Sequence, residues 1–378
     1  MSYRNNRTGK FSRKPARDRK SLPAWAVAII NALMTGVILL VFAFFHHVLP
    51  AMISEMQRQQ ALLNATEPPV IQTEAPTVSQ TEPLSTGAAS EGFTEPTEAP
   101  VVTEPPKELT EWQVKFAEHF SDEVVWTENS YKSPNVSITL ETKTVGEGAK
   151  LSTYHVADIY IASMDNFVTH TAHGEMRYFS TQDIVEMSKD SDALIAISGD
   201  FLTYQQGGFL MRNGQIYQES SNLDSVCVLF ADGTMETYDE KTYDIEEIKS
   251  RGAVQVWSFG PVLLDENGKV RERYKMPTAV SYPNPRSAIG YYEPGHYCFV
   301  VVDGRQEGYS KGLNMPDLAK IFEDLGCTKA YNLDGGGSAV MVFNHERYSR
   351  QSNGGDRGLG DILLIRETVD DTVEESVG

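Results

Sequence analysis

Cysteine is scarce in this chain, with three in 378 residues, at positions 227, 298 and 327. An odd number without paired C-x-x-C spacing excludes a dense disulfide framework and a cysteine-built zinc site. The eight histidines form no His-Glu-x-x-His pattern, which argues against a histidine-built zinc centre. No Gly-x-Ser-x-Gly elbow occurs, and the one glycine run lacks the Gly-Lys-Ser/Thr ending of a P-loop. Positive charge is also short: 33 Lys and Arg face 52 Asp and Glu, for a net charge of −19. Residues 1–23 hold eight of those bases against Asp18 alone, a local +7, so residues 24–378 carry −26. Such a balance excludes nucleic acid held by bulk charge. A phosphate ligand would have to be gripped by particular arginines and backbone N–H groups.

Long apolar runs are rare too, and the one present stands near the start. Residues 24–45 carry no charge over 22 positions, long enough for a helix to cross a bilayer. The basic stretch before it predicts a cytoplasmic tail (1–23) and an uncleaved membrane helix (24–46), with the rest outside the cell. The length of the run and the absence of a small-x-small cleavage site disfavour a removed signal peptide. Residues 47–108 are then an extracytoplasmic stalk, rich in Thr, Glu and Pro from residue 64 onward. It lacks the apolar content to bury a core, and at ~3 Å per residue it reaches on the order of 100 Å. Residues 109–368 alternate in strand and helix patterns and predict one α+β domain: strand-rich, mixed twisted sheets with a few flanking helices. An acidic tail, 369–378, closes the chain.

Within that domain, residues 296–302 and 329–333 read as buried strands, each running into Asp-Gly: Asp303-Gly304-Arg305 and Asp334-Gly335-Gly336-Gly337-Ser338. Between them Asn314 predicts an N-cap with Pro316 in the first turn. Leu318, Ile321, Phe322 and Leu325 follow at helical spacing, and Gly326 stops the helix. If the strands are parallel neighbours, both Asp-Gly ends emerge at one sheet edge, where ligand sites tend to lie. Three glycines add nothing to a core; they give backbone conformations other residues reach with strain and can form an anion-binding nest. The plainer reading is a glycine-rich turn with a solvated aspartate. Thr181 predicts the cap of a helix to residue 189, and Asn213-Gly214, Asp232-Gly233 and Asn267-Gly268 predict hairpins. The cysteines read as buried free thiols, with one disulfide, Cys298–Cys327, left open.

The run Val301-Val302-Asp303-Gly304-Arg305, the helix and Asn332-Leu333-Asp334-Gly335-Gly336-Gly337-Ser338 resemble the phosphodiester glycosidase family. So do Pro285-Arg286-Ser287-Ala288-Ile289-Gly290, Ile197-Ser198-Gly199-Asp200-Phe201 and the segment from Arg350 through Asp356-Arg357-Gly358 to Asp361. The resemblance spans roughly residues 130–367. It implies an α+β fold and hydrolysis of a sugar-1-phosphodiester, with N-acetylglucosamine-1-phosphodiester as the type of bond. For a membrane-anchored chain the implied partner is cell-wall polymer or exopolysaccharide; a silent polysaccharide-binding module and a sugar or phosphate transferase are the alternatives.

Such chemistry needs donors for the departing phosphate and a carboxylate at the anomeric carbon. Arg286 and Arg305 suit the phosphate, since guanidinium binds it bidentately. Gly335, Gly336, Gly337, Ser338, Asn332, Arg350 and Arg357 complete the expected binding set. Asp334 and Asp200 are the candidate catalytic carboxylates and Asp303 the third. Each has a structural alternative: Arg286 in an ion pair, Asp200 or Asp303 capping a turn, Asp356 and Arg357 bracing the floor. No cofactor is required, although clustered aspartates could hold Ca²⁺. Two departures stand out. Ser198 occupies a position where the family usually has Asn, and Ser349-Arg350-Gln351-Ser352 replaces Asn-Arg-Pro-Ser.

Overall fold

The computed structural model describes residues 108–201, 208–220, 225–276, 278–352, 355 and 357–368. The basic tail, the apolar run 24–46, nearly all of the stalk, Asp356 and the acidic tail lie outside the described residues. Among those described, no helix is long and apolar enough to cross a membrane.

Strands dominate among the described residues, as alternation and the β-branched runs require, and there they form three antiparallel sheets. The first has seven strands in the order β1 (Val125–Thr127), β2 (Ser130–Lys132), β3 (Val136–Val145), β4 (Ser152–Ile161), β13 (His296–Val302), β12 (Arg286–Glu293), β14 (Lys329–Leu333). The second runs β10 (Met235–Tyr238), β9 (Val226–Phe230), β11 (Ala253–Trp257), β7 (Phe209–Arg212), β8 (Gln215–Glu219). The third runs β16 (Glu346–Arg347), β15 (Met341–Phe343), β6 (Ile195–Ser198), β17 (Asp361–Ile365), β5 (Phe167–Thr171). Asn213-Gly214 joins β7 to β8 and Asp232-Gly233 lies between β9 and β10, while Asn267-Gly268 turns beneath the bridge Leu264–Val270.

Among the described residues five helices flank the sheets: α1 (Glu111–Lys115), α2 (Ile184–Asp190), α3 (Ile245–Ser250), α4 (Thr278–Ser281) and α5 (Met315–Leu325). In α5 the Asn314 side chain accepts from Asp317 N–H at 2.9 Å, and Gly326 closes the helix in the left-handed region at φ 82°. Leu318, Ile321 and Phe322 are buried, each contributing about 1.5–3 kcal/mol of apolar burial. The α2 cap is Asp183 rather than Thr181: the Asp183 carboxylate accepts from Val185 N–H, and Thr181 lies against Gly358.

The two Asp-Gly strands are not neighbours. β12 and β13 make a hairpin, and β13 has β4 on its other side, so β14 is added outside β12. Two antiparallel steps nonetheless leave β13 and β14 parallel, and their C-terminal ends share an edge. Cys298 and Cys327 lie on either side of Gly290 with sulfurs 3.6 Å apart, both buried and both free, and Cys327 precedes β14. A Cβ at Gly290 would stand 2.6 Å from one sulfur and 2.8 Å from the other, so this contact tolerates no side chain.

Candidate active site

Strand register fixes the edge. Arg286 pairs with Val302 and Ser287 with Leu333, so Asp303 and Asp334 each follow directly on a strand end. The third sheet meets the first here: Asp334 N–H donates to Gly199 O at 2.9 Å, and the Ser198 hydroxyl lies 2.7 Å from Asp334 O and 2.8 Å from the Ser287 hydroxyl. Ser198 is therefore a buried joint between sheets; the family's Asn position is not a surface contact in this chain.

The glycines are demanded by close approach. A Cβ at Gly335 would lie 2.7 Å from Pro285 O, and Gly336 sits at φ 67° with its N–H on that same carbonyl. Ser338 N–H returns to Gly335 O and Ala339 N–H to Gly336 O, closing a single 3-10 turn. The nest is thus smaller than the sequence implies: the Gly335 and Gly337 amides are those without an acceptor among the described residues.

Asp334 is 6% exposed. Its Oδ2 accepts from Arg357 Nη2 at 2.6 Å, while Arg357 also donates from Nε and Nη2 to Ser338 Oγ at 3.0 and 2.7 Å. The guanidinium lies 4.8 Å from the Phe201 ring centre. Burial raises the Asp334 pKa above the usual carboxylate range, and Arg357 and the Ser338 hydroxyl pull against that rise. Beside this stands Arg305, at φ 60°, whose Nε and Nη2 share Asn284 Oδ1. Its Nη2 is the atom a Cβ on Gly336 would meet, at 3.0 Å. Arg286 is 3% exposed, and its Nε and Nη2 donate to the carbonyls of Leu313, Val280 and Tyr282. Burial, together with the charge of Arg305, lowers its pKa to about 10. Neither arginine pairs with a carboxylate among the described residues.

Two nominated carboxylates are placed differently. Asp200 is fully engaged, its Oδ2 on Arg212 Nη2 at 2.8 Å and its oxygens on the Ser258 and Phe259 amides. Arg212 Nε also holds Asp361 at 2.8 Å, so Asp200 belongs to a buried Asp–Arg–Asp triad. Asp303 accepts from Tyr309 Oη and Arg350 N–H and lies 3.0 Å from His155 Nε2, which makes it the anchor of the 303–313 loop. Asn332 is wholly buried, its amide donating to Gly260 O. The Arg350 guanidinium lies over Tyr309 rather than on the glycine turn. No cluster of three or more His, Cys, Asp or Glu forms among the described residues, where Asp200, Asp303 and Asp334 are each already hydrogen-bonded. Sequence reading missed Arg212, Asp361, His155, Tyr309 and Asn284. Arg212 left a trace as a charge closing the apolar run Phe209-Leu210-Met211, and Asp361 as the last residue of the closing segment.

Residues 191–366 match the model of the phosphodiester glycosidase family. The chain is 29% identical over 204 residues to the SPbeta prophage-derived uncharacterized protein YomE of Bacillus subtilis strain 168, covering 52% of this chain and 32% of that protein. It is 25% identical over 177 residues to human N-acetylglucosamine-1-phosphodiester alpha-N-acetylglucosaminidase, covering 43% of this chain and 34% of the enzyme. The chain thus spans about a third of the length of these relatives. The zebrafish catalytic domain of that name, auto-inhibited by its pro-peptide, superposes with a TM-score of 0.52 at 20% identity, over 65% of this chain and 88% of the other, and shares the fold.

Proposed function

We propose, on the premise that residues 191–366 form a phosphodiester glycosidase-like domain, that this chain hydrolyses a sugar-1-phosphodiester of the N-acetylglucosamine-1-phosphodiester type. The observation that carries this is the pair Arg286 and Arg305, two guanidinium groups without a carboxylate, set against a glycine turn that begins at a buried aspartate. Cations left together in an acidic protein call for an anionic ligand: phosphate fits the fork of exposed Arg305, and buried Arg286, its fork held by carbonyls, adds its charge from behind. The bond between C1 and the bridging oxygen breaks, the phosphate monoester leaves with that electron pair, and water adds at C1. Arg305, Arg286 and the free amides of the turn stabilise the growing charge. Asp334, held by Arg357, faces the positive charge at C1 or takes the proton of the water that adds there. Asp200 and Asp303 act through position alone. We also propose that residues 24–46 anchor the chain with the domain outside, on cell-wall polymer or exopolysaccharide.

Arg305→Lys keeps the charge and loses the fork, so kcat/KM for N-acetylglucosamine release should fall about a hundredfold, roughly 3 kcal/mol. A near-normal rate places the phosphate elsewhere; binding without any release points to a carbohydrate-binding module. For the topology, protease added to wall-less cells should cut within residues 47–108 and free an active fragment. A protected domain reverses the orientation.

A further inference from the structure

Resting on the proposed activity, we infer that the substrate is a chain of successive sugar phosphodiesters, and that Arg350, seated on Tyr309, takes the phosphate next to the one being cleaved. Six described arginines (Arg177, Arg212, Arg251, Arg271, Arg347 and Arg357) lie within ion-pair distance of a carboxylate. Arg273, Arg286, Arg305, Arg350 and Arg366 do not, and three of these five, Arg286, Arg305 and Arg350, are tied to one loop, residues 303–313. Arg286 Nε donates to Leu313 O at 2.9 Å at the end of the loop, and Arg305 lies within it. Arg350 N–H donates to Asp303 Oδ1 at 3.0 Å, and its guanidinium lies 4.5 Å from the Tyr309 ring centre.

That platform is built rather than incidental. Tyr309 Oη donates to Asp303 Oδ2 at 2.7 Å, the same oxygen lies 3.0 Å from His155 Nε2, and His155 Nδ1 meets Thr142 Oγ1 at 2.9 Å. Gln306 Nε2 donates to Gln351 O at 3.1 Å, fastening the loop to the segment that carries Arg350. A guanidinium resting on an aromatic ring keeps its in-plane donors for an anion and loses little freedom on binding one. The loop's own carboxylates do not neutralise the three arginines tied to it: Asp303 is taken by Tyr309, His155 and the Arg350 backbone N–H, and Glu307 makes no ion pair with any of the three among the described residues. One phosphate satisfies Arg305 at the glycine turn, where Gly336 touches it, with the charge of carbonyl-bound Arg286 behind. Arg350 is left for a second.

The test compares N-acetylglucosamine 1-(methyl phosphate) with a short synthetic oligomer of N-acetylglucosamine-1-phosphate. The wild-type protein should favour the oligomer per linkage by about tenfold in kcat/KM, through KM, and the advantage should shrink as salt screens the charges. Arg350→Ala should bring the ratio near one, Arg350→Gln should do the same without shortening the side chain, and Arg350→Lys should restore part of it. Thermal unfolding checks that each variant is folded. An equal preference in wild type and variants overturns the inference. If neither compound is cleaved, the proposed activity fails on its own, and equilibrium dialysis of the two compounds still decides about Arg350: a lost preference in the alanine variant supports its role, an unchanged one removes it.

Discussion

Asp334→Asn is expected to reduce kcat by a thousandfold or more, about 4 kcal/mol, while the domain stays folded and substrate still binds. Asparagine is nearly isosteric, and its amide oxygen can still accept from Arg357 Nη2, now 2.6 Å from the carboxylate. The Asp334 backbone contacts to Gly199 and Ser198 do not involve the side chain and should persist. What is lost is charge and basicity, the two properties the reaction draws on at C1, so the loss belongs in kcat rather than KM. The wild-type pH profile should carry the same signature. Because burial raises the Asp334 pKa, the acid limb of kcat should lie above the range of an ordinary aspartate, activity rising as the carboxylate ionises. Arg357→Ala removes the guanidinium that favours the charged form, and should shift that limb to still higher pH. If Asp334→Asn keeps more than about a tenth of wild-type kcat, ~1.4 kcal/mol of barrier, the chemistry lies elsewhere.

The largest effect on stability is expected at Arg212, which is 1% exposed and lies between Asp200 and Asp361. Arg212→Leu would leave two carboxylates in the core without their cation, and breaking a buried pair in this way costs about 3–5 kcal/mol. Guanidinium chloride unfolding should show it as a lower midpoint or as failure to fold. Asp361→Asn should be milder. That carboxyl already leans toward the neutral form, since burial lifts its pKa to about 7 against the attraction of Arg212. The sign of the pH effect follows. Between about pH 4 and 7 folded Asp361 holds a proton that the unfolded chain has released, so wild-type stability should fall as pH rises through that window. Asp361→Asn should flatten the slope; an unchanged slope would assign it to another group.

The parts of this architecture that were legible are those decided locally. The α5 cap reaches three residues along the chain, strand 329–333 announces itself by alternation, and the glycine run declares a tight turn. The fate of the carboxylates was not legible, because their partners are set by sheet order. His155 reaches Asp303 across 148 positions and Arg212 meets Asp361 across 149. Nothing periodic near Asp200 or Asp303 distinguishes an aspartate that reacts from one that is saturated. The insertion of β12 between β13 and β14 is of the same kind: both strands and the helix read correctly, while neighbourhood depended on β12, which pairs with each of them. The sequence offered Arg286 as a phosphate ligand or an ion-pair partner, with no sign of a group pinned by three carbonyls.

That sheet order also separates a unit of homology from a unit of folding. The family match begins at residue 191, yet β13 is hydrogen-bonded along its full length to β4, Ser152–Ile161, and β17 to β5, Phe167–Thr171. A protein cut to the matched residues would present two long, apolar, unpaired strand edges to other copies of itself, the geometry that templates aggregation. The stretch that carries the recognisable chemistry borrows its solubility from the strands that precede it.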